Sequence, residues 1–394
     1  MSRKEAIDAL VDQYFRMDSA SEGLPLAVSP IGKAEISAAI DTLLSGWLTM
    51  GSRVKDFESA WADAVGTRHA VCVNSGSSAL LVMLSALVET GILARGDEVI
   101  VPAVGWSTSL FTVAQAGLKP VLVDVGEDSL VLEGDWDRPV LAVHLLGCPS
   151  RATGPVIVED ACGAHGAAIG EQRCGSIGVA SAFSFFFSHH LSTIEGGMIN
   201  TDSDVIADAA RSLRAHGWIR ERSDADQIAA SREDIDRRFL FVSAGYNLRP
   251  TEITGAMGVE QVPRLDGFVE ARRRNHAQWC EAIASLELPL RVYPELTGTT
   301  HAAFAFPMLL EADSPLQRAE LSTKLEAQGI ATRPISGSNL IRQPAFSRVE
   351  GARVEGETPV ADAVHDRGFF VGQSHDFGPQ HLSQLVDGLK KAFS

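Results

Sequence analysis

Between Lys119 and Lys324 the chain has no lysine, and within that gap Ser184 is followed by Phe185-Phe186-Phe187-Ser188-His189-His190. An imidazole exchanges protons near neutral pH, which makes His189 a candidate acid or base. Gly76 and Ser77 belong to the turn Asn74-Ser75-Gly76-Ser77-Ser78, set between the apolar run Ala70–Val73 and a helical pattern from Ala79 to Val88. Strand, small-residue turn and helix in that order offer backbone N–H groups and a helix N-terminus to an anion. By itself such a turn is equally a plain tight turn. Asp160 closes the apolar run Val156–Glu159, where a carboxylate pairs with a cationic nitrogen or caps a helix. Adjacent histidines on one strand or loop project in different directions. No Cys or carboxylate follows them at a usual ligand spacing, so no metal site is expected, and His190 reads as structural or functional alike.

The elements that must position these residues alternate. Apolar spacing predicts helices over 31–44, 56–65, 79–88 and 107–116. Apolar runs at 98–102, 120–125, 140–146, 156–159 and 180–187 read as buried strands. Such alternation predicts a mostly parallel sheet covered by helices. A long helical pattern runs from Pro250 to about Leu286, after which Pro289, Pro294 and Gly298 mark a change of composition. The boundary of a smaller C-terminal domain is expected within that helix, giving residues 1–265 and 266–394.

At 394 residues the chain is long enough for two domains, and 45% apolar with 21% charged residues fits a soluble globular enzyme. A net charge of −16 argues against a nucleic-acid or membrane-surface partner, which requires a basic face. Any phosphate must therefore meet local arginines and backbone amides. Cys72, Cys148, Cys162, Cys174 and Cys280 form no CxxC pair and read as reduced thiols. The stretch Met1-Ser2-Arg3-Lys4-Glu5 carries charge with no apolar run behind it, so neither a signal peptide nor a membrane span is expected and the cytoplasm is.

Several blocks together resemble the DegT/DnrJ-type sugar aminotransferase and dehydratase family: Thr49-Met50-Gly51, Pro102-Ala103-Val104-Gly105-Trp106-Ser107-Thr108, Ser188-His189-His190-Leu191 with Glu195-Gly196-Gly197, Arg214-Ala215-His216-Gly217-Trp218, Gly245-Tyr246-Asn247-Leu248-Arg249-Pro250 and Phe370-Val371-Gly372. The resemblance covers nearly the whole chain. It implies the aspartate-aminotransferase-like fold type I of pyridoxal 5′-phosphate (PLP) enzymes, a large α/β domain with a smaller C-terminal one. By it, Gly76, Ser77 and Ser184 hold the cofactor phosphate. Asn247 reaches the same phosphate from a neighbouring subunit, which implies a homodimer with shared sites. Asp160 pairs with the pyridinium nitrogen and Trp106 stacks on the ring; alone, that tryptophan would read as core.

His189 stands where the family has the lysine that tethers PLP. The resemblance therefore points to the histidine-bearing 3-dehydratases of nucleotide-linked 4-keto sugars. These work with untethered pyridoxamine 5′-phosphate (PMP), which L-glutamate regenerates from PLP, and His189 is the base. His216 and Arg220, and Arg333 in Arg333-Pro334-Ile335, are the candidate sugar-nucleotide contacts. Arg220 reads equally as a solvated helix residue, and the run Arg272-Arg273-Arg274 reads as a solvated face. Two features depart from the family pattern. Gly163 stands where Gln or Glu contacts the cofactor's phenolic oxygen, and the stretch from Glu127 to Pro155 is short, which puts its surface helix in doubt. An iron–sulfur 3-dehydratase needs clustered late cysteines, and Cys280 stands alone there. A PMP-using aminotransferase-like enzyme on another keto substrate and a non-catalytic sugar-nucleotide binder remain alternatives.

Overall fold

The computed structural model describes residues 2–15 and 23–394; Met1, which opens the charged N-terminal stretch, lies outside them. Helices α1 (Arg3–Tyr14), α2 (Lys33–Ser45) and α3 (Ser52–Val65) precede β1 (His69–Val73). Then follow α4 (Gly76–Glu89), β2 (Glu98–Pro102), α5 (Ser107–Gln115), β3 (Lys119–Val123), β4 (Val140–Val143) and β5 (Ile157–Asp160). A short hairpin of β6 (Ala168–Ile169) and β7 (Gln172–Arg173) leads to β8 (Ala180–Ser184) and β9 (Gly197–Thr201). Next come α6 (Asp204–Leu213), α7 (Ala225–Ala230), α8 (Glu252–Gln261) and α9 (Leu265–Ala284). The remainder holds β10 (Leu290–Val292), β11 (Thr299–Thr300), β12 (Ala305–Leu310), α10 (Arg318–Glu326), β13 (Thr332–Pro334), β14 (Arg353–Val354), α11 (Pro359–Arg367), β15 (Gly368–Gly372) and α12 (Pro379–Phe393).

Eight strands form one sheet in the order β1-β9-β8-β5-β4-β2-β3-β14. Its middle is parallel, from β8 through β5, β4 and β2 to β3, whereas β9 runs antiparallel to both β8 and β1. Runs such as Val140-Leu141-Ala142-Val143 are buried along their whole length because helices cover both faces of the sheet. The parallel direction places the ends of β1, β2, β5 and β8 on one edge, where open α/β sheets bind their ligands. A second sheet, β10-β12-β15-β13, carries its own apolar core of Phe306, Phe369, Leu321 and Leu385, to which Leu24 also belongs.

Two expectations need correcting. The pattern from Pro250 to Leu286 is not one helix: α8 ends at Gln261, a single 3₁₀ turn holds Val262–Arg264, and α9 starts at Leu265. Pro263 is the cause, since its ring offers no N–H to an α-helical ladder. The run 180–187 is strand only to Ser184. Beyond it the chain turns back, and the Thr193 amide donates to the Phe185 carbonyl to close a loop. The doubt over a surface helix between Glu127 and Pro155 is met by irregular chain and β4 alone, apart from a 3₁₀ turn at 145–147.

The exit of β8 is braced from behind. Trp61 on α3 is fully buried, packs edge-on against Phe183 and Phe185 at centroid distances of 5.0 Å each, and donates from Nε1 to Asn200 Oδ1 at 3.1 Å. These two phenylalanines flank Ser184. Trp61→Ala is expected to destabilise the chain by about 3–5 kcal/mol through the cavity it leaves, measured by urea unfolding.

Candidate active site

The turn after β1 is shaped by close backbone approach. Ser75 caps α4, its Oγ accepting from Ser78 N–H at 3.1 Å. The amides of Gly76 and Ser77, first in the helix, have no helical carbonyl to reach and stay available to an anion. A Cβ on Gly76 would lie 2.5 Å from Ser184 Cβ and 3.0 Å from Cys162 Sγ, and one on Gly197 would collide with the Ser75 carbonyl. Only glycine fits at either place, and the consequence is that the α4 N-terminus meets the end of β8. Gly76 and Ser184 are buried there, whereas Ser77 is exposed.

Asp160 ends β5 beside them. Ser109 Oγ of α5 donates to its Oδ2 at 2.7 Å and the Cys162 amide to Oδ1 at 3.2 Å. No helix begins there, so Asp160 is not a helix cap. Neither Ser109 nor Cys162 stands out in the sequence as a site residue, although Ser109 falls one helical turn beyond Trp106. At Gly163 an added Cβ would meet nothing closer than 3.8 Å, so its backbone does not exclude a side chain.

His189 follows in the loop after β8. Its ring lies 5.1 Å from that of Phe304 and 5.7 Å from that of His165, and its Nδ1 is buried without a hydrogen-bond partner. That leaves Nε2 as the nitrogen able to meet a ligand. Burial, then the positive charge of Arg272, pushes His189 down to about 3. His190 is fully buried and donates from Nε2 to the Ala302 carbonyl at 2.8 Å, a structural role. His165 is fully buried against Trp61, Phe183 and Phe185. Burial drives both of these well below the ordinary histidine range. Arg272 corrects the expectation of a solvated face: it is only 1% exposed. Among the described residues one group has metal-like composition, His144, Glu159 and Cys174. Its donors are already engaged: the Ser150 amide occupies His144 Nδ1, so Nε2 carries the proton given to Glu159 at 2.9 Å.

The remaining predicted residues lie further out. Trp106 is the residue before α5 and is 60% exposed, and the Gly337 amide donates to the Gly105 carbonyl beside it. That contact brings the chain after β13, and so the neighbourhood of the exposed Arg333, towards Trp106. Asn247 is exposed and accepts from Arg249 Nε at 3.0 Å. His216, at φ +65°, packs edge-on against Trp218. Arg220 lies outside any helix, stacks 3.9 Å over the Trp218 ring and donates to the Arg238 carbonyl. Within the chain, then, Gly76, Ser184, Asp160 and Cys162 are brought together and linked through the β8 exit to His189. Among the described residues no side-chain hydrogen bond or ring contact joins His216, Arg220, Asn247 or Arg333 to them.

Free amides at a helix N-terminus pressed against a serine, beside a buried strand-end carboxylate, fit the phosphate and ring nitrogen of PLP. The fold in which they lie is the aspartate-aminotransferase-like fold type I of PLP-dependent enzymes. The chain belongs to the DegT/DnrJ/EryC1/StrS aminotransferase family, whose sequence profile matches residues 30–390. It is 35% identical over 388 residues to a GDP-4-keto-6-deoxy-D-mannose 3-dehydratase of Yersinia pseudotuberculosis, covering 93% of this chain and 98% of that one. Among solved structures it is similar to a GDP-4-keto-6-deoxymannose-3-dehydratase with a trapped PLP-glutamate geminal diamine, at a TM-score of 0.84 and 32% identity over 93% of this chain and 100% of the other. A histidine-to-asparagine variant of such a dehydratase with bound GDP-perosamine gives 0.83 and 31%, over 94% and 100%.

Two outcomes follow. Gly76→Ala, which must push the start of α4 away from Ser184, should weaken PMP binding at least about tenfold, roughly 1.4 kcal/mol, read by fluorescence titration of the cofactor. Stability should also fall from pH 7 to pH 5. His165, His189 and His190 titrate lower in the folded chain than unfolded, so the unfolded state takes up more protons as pH drops through about 6.5. The urea midpoint at both pH values checks this.

Proposed function

We propose that the chain is a PLP/PMP-dependent nucleotide-sugar 3-dehydratase that removes the C3 hydroxyl of a 4-keto-6-deoxyhexose, GDP-4-keto-6-deoxy-D-mannose being favoured, with L-glutamate regenerating PMP. The observation that carries it is His189: an imidazole in the loop leaving β8 whose surroundings disfavour its charge, beside Asp160, Ser184 and Gly76, which would cradle the cofactor. The names of the relatives, including the GDP-sugar and glutamate adduct in two of them, support the substrate and amino donor.

When bound, the cofactor would supply an amine for the C4 ketone and a ring that takes up the electron pair freed by deprotonation and passes it towards the sugar as the hydroxyl leaves. Asp160 keeps the ring nitrogen protonated, its own position fixed by Ser109 and the Cys162 amide. The Gly76 and Ser77 amides with Ser184 Oγ hold the phosphate, and Trp106 covers the ring. His189 Nε2, unprotonated near neutral pH, takes the proton whose removal drives elimination and returns it to the departing hydroxyl. A lysine there would tether the cofactor and favour plain amino transfer.

His216, Arg220 and Arg333 are assigned to the sugar nucleotide, and Asn247 to the phosphate across a homodimer interface. Exposed Leu44, Trp47, Phe186, Phe187, Ile194 and Phe241 support such an interface, because a monomer seldom leaves that much large apolar surface in water. Residues 266–394 are taken as the smaller domain. Cytoplasmic placement in a colitose-type deoxysugar route follows the same reading, and no helix among the described residues is long and apolar enough to cross a membrane.

Incubation with PLP, L-glutamate and GDP-4-keto-6-deoxymannose should release 2-oxoglutarate and a 3-deoxy sugar, seen by mass spectrometry. Borohydride should not fix the cofactor to the protein. His189→Lys should lose at least about a hundredfold in dehydration, the usual scale of a lost acid–base group; equal dehydration by that variant sinks the assignment.

A further inference from the structure

Behind the two histidines sits a buried cation whose partners are all neutral. Arg272 of α9 donates from Nη1 to the carbonyls of Ala303 at 3.3 Å, Phe304 at 3.3 Å and Gln373 at 2.6 Å. Carbonyls satisfy Nη1 without cancelling the charge, and Nε is buried with no hydrogen-bond partner. Asp376, the acidic group that acts on it, is about half exposed and therefore screened.

The segment Arg272 clamps is the one on which the histidines rest. Ala302 accepts from His190, and the Phe304 ring lies against His189. Ala303 between them is held at φ +49°, a conformation that costs a non-glycine residue energy unless its surroundings enforce it. The Ala303 amide donates to His301 Nδ1 and the Ala302 amide to the Gly147 carbonyl. Facing His189 are His165 from the chain after β5, Phe186 and His190 from its own loop, Phe304 from the clamped segment and the charge of Arg272 from α9; no carboxylate is among the groups that act on it. A fixed positive charge in a weakly polar interior opposes a second one nearby.

We propose that Arg272 is a positioning residue for the dehydration step, seating His189 through the 303–304 carbonyls and, as an uncompensated buried charge, holding that imidazole in its proton-accepting form. The inference rests on His189 being the base and names what keeps it one.

The test uses the full-length chain, with and without PMP, labelled with ¹³C at histidine Cε1, the His189 signal being assigned by its loss in His189→Asn. In the parent, His189 should remain neutral down to pH 5. In Arg272→Gln its midpoint should rise by one unit or more and the acid limb of kcat/KM should rise with it, whereas Arg272→Lys should titrate as the parent does. Arg272→Met takes the place of the glutamine variant if that one does not fold. A charge-free variant with an unmoved midpoint overturns the proposal, as does a lysine variant that titrates with the charge-free one. If His189→Asn dehydrates as fast as the parent, the base assignment fails instead, and the midpoint comparison still decides what the arginine does.

Discussion

The strand ends that carry the site hang from one carboxylate. Glu159 has no exposed surface, yet its Oε1 accepts the amides of Ile177 and Gly178 and its Oε2 the amide of Gly175 and the Nε2 proton of His144. A buried carboxylate survives only when its lone pairs are filled in this way. Through these bonds Glu159 fixes the chain entering β8 to β5, and His144 ties in the chain leaving β4. Asp160, the next residue, therefore emerges with its direction already set, and the register that pairs Asp160 with Ala182 places Ser184 just beyond it.

Much of this is legible in the sequence because it rests on local patterns. The parallel strands announce themselves as continuous apolar runs, and Glu98–Pro102 matches its expected bounds. The small-residue turn at Gly76 also follows from spacing. What escapes depends on packing. Arg272 reads as solvated on the strength of its charged neighbours, although Leu265, Val269, His276, Trp279 and Ile283 share its stripe at helical spacing and all are buried. That stripe is present in the sequence, and charge alone hides it. Ser109 and Phe304 carry no motif; their part appears only when Ser109 of α5 reaches Asp160 at the end of β5 and the Phe304 ring comes against His189.

The chemistry open to His189 draws its character from those hidden neighbours. An imidazole in water would be half protonated near pH 6.5 and only partly able to accept a proton. Here the Phe304 ring and His165, itself packed against Trp61, Phe183 and Phe185, lie beside His189, and together with an arginine lacking a carboxylate partner they disfavour charge there. The histidine is thus one part of an environment, and the same residue placed in an unmodified family scaffold would behave differently.

Gly163 carries an implication for redesign. Its φ lies outside the left-handed region and ordinary van der Waals space surrounds it, so nothing in the architecture demands the absence of a side chain. Glycine at that position answers no demand of the backbone. A polar side chain engineered there would start from a Cβ that nothing in its surroundings displaces.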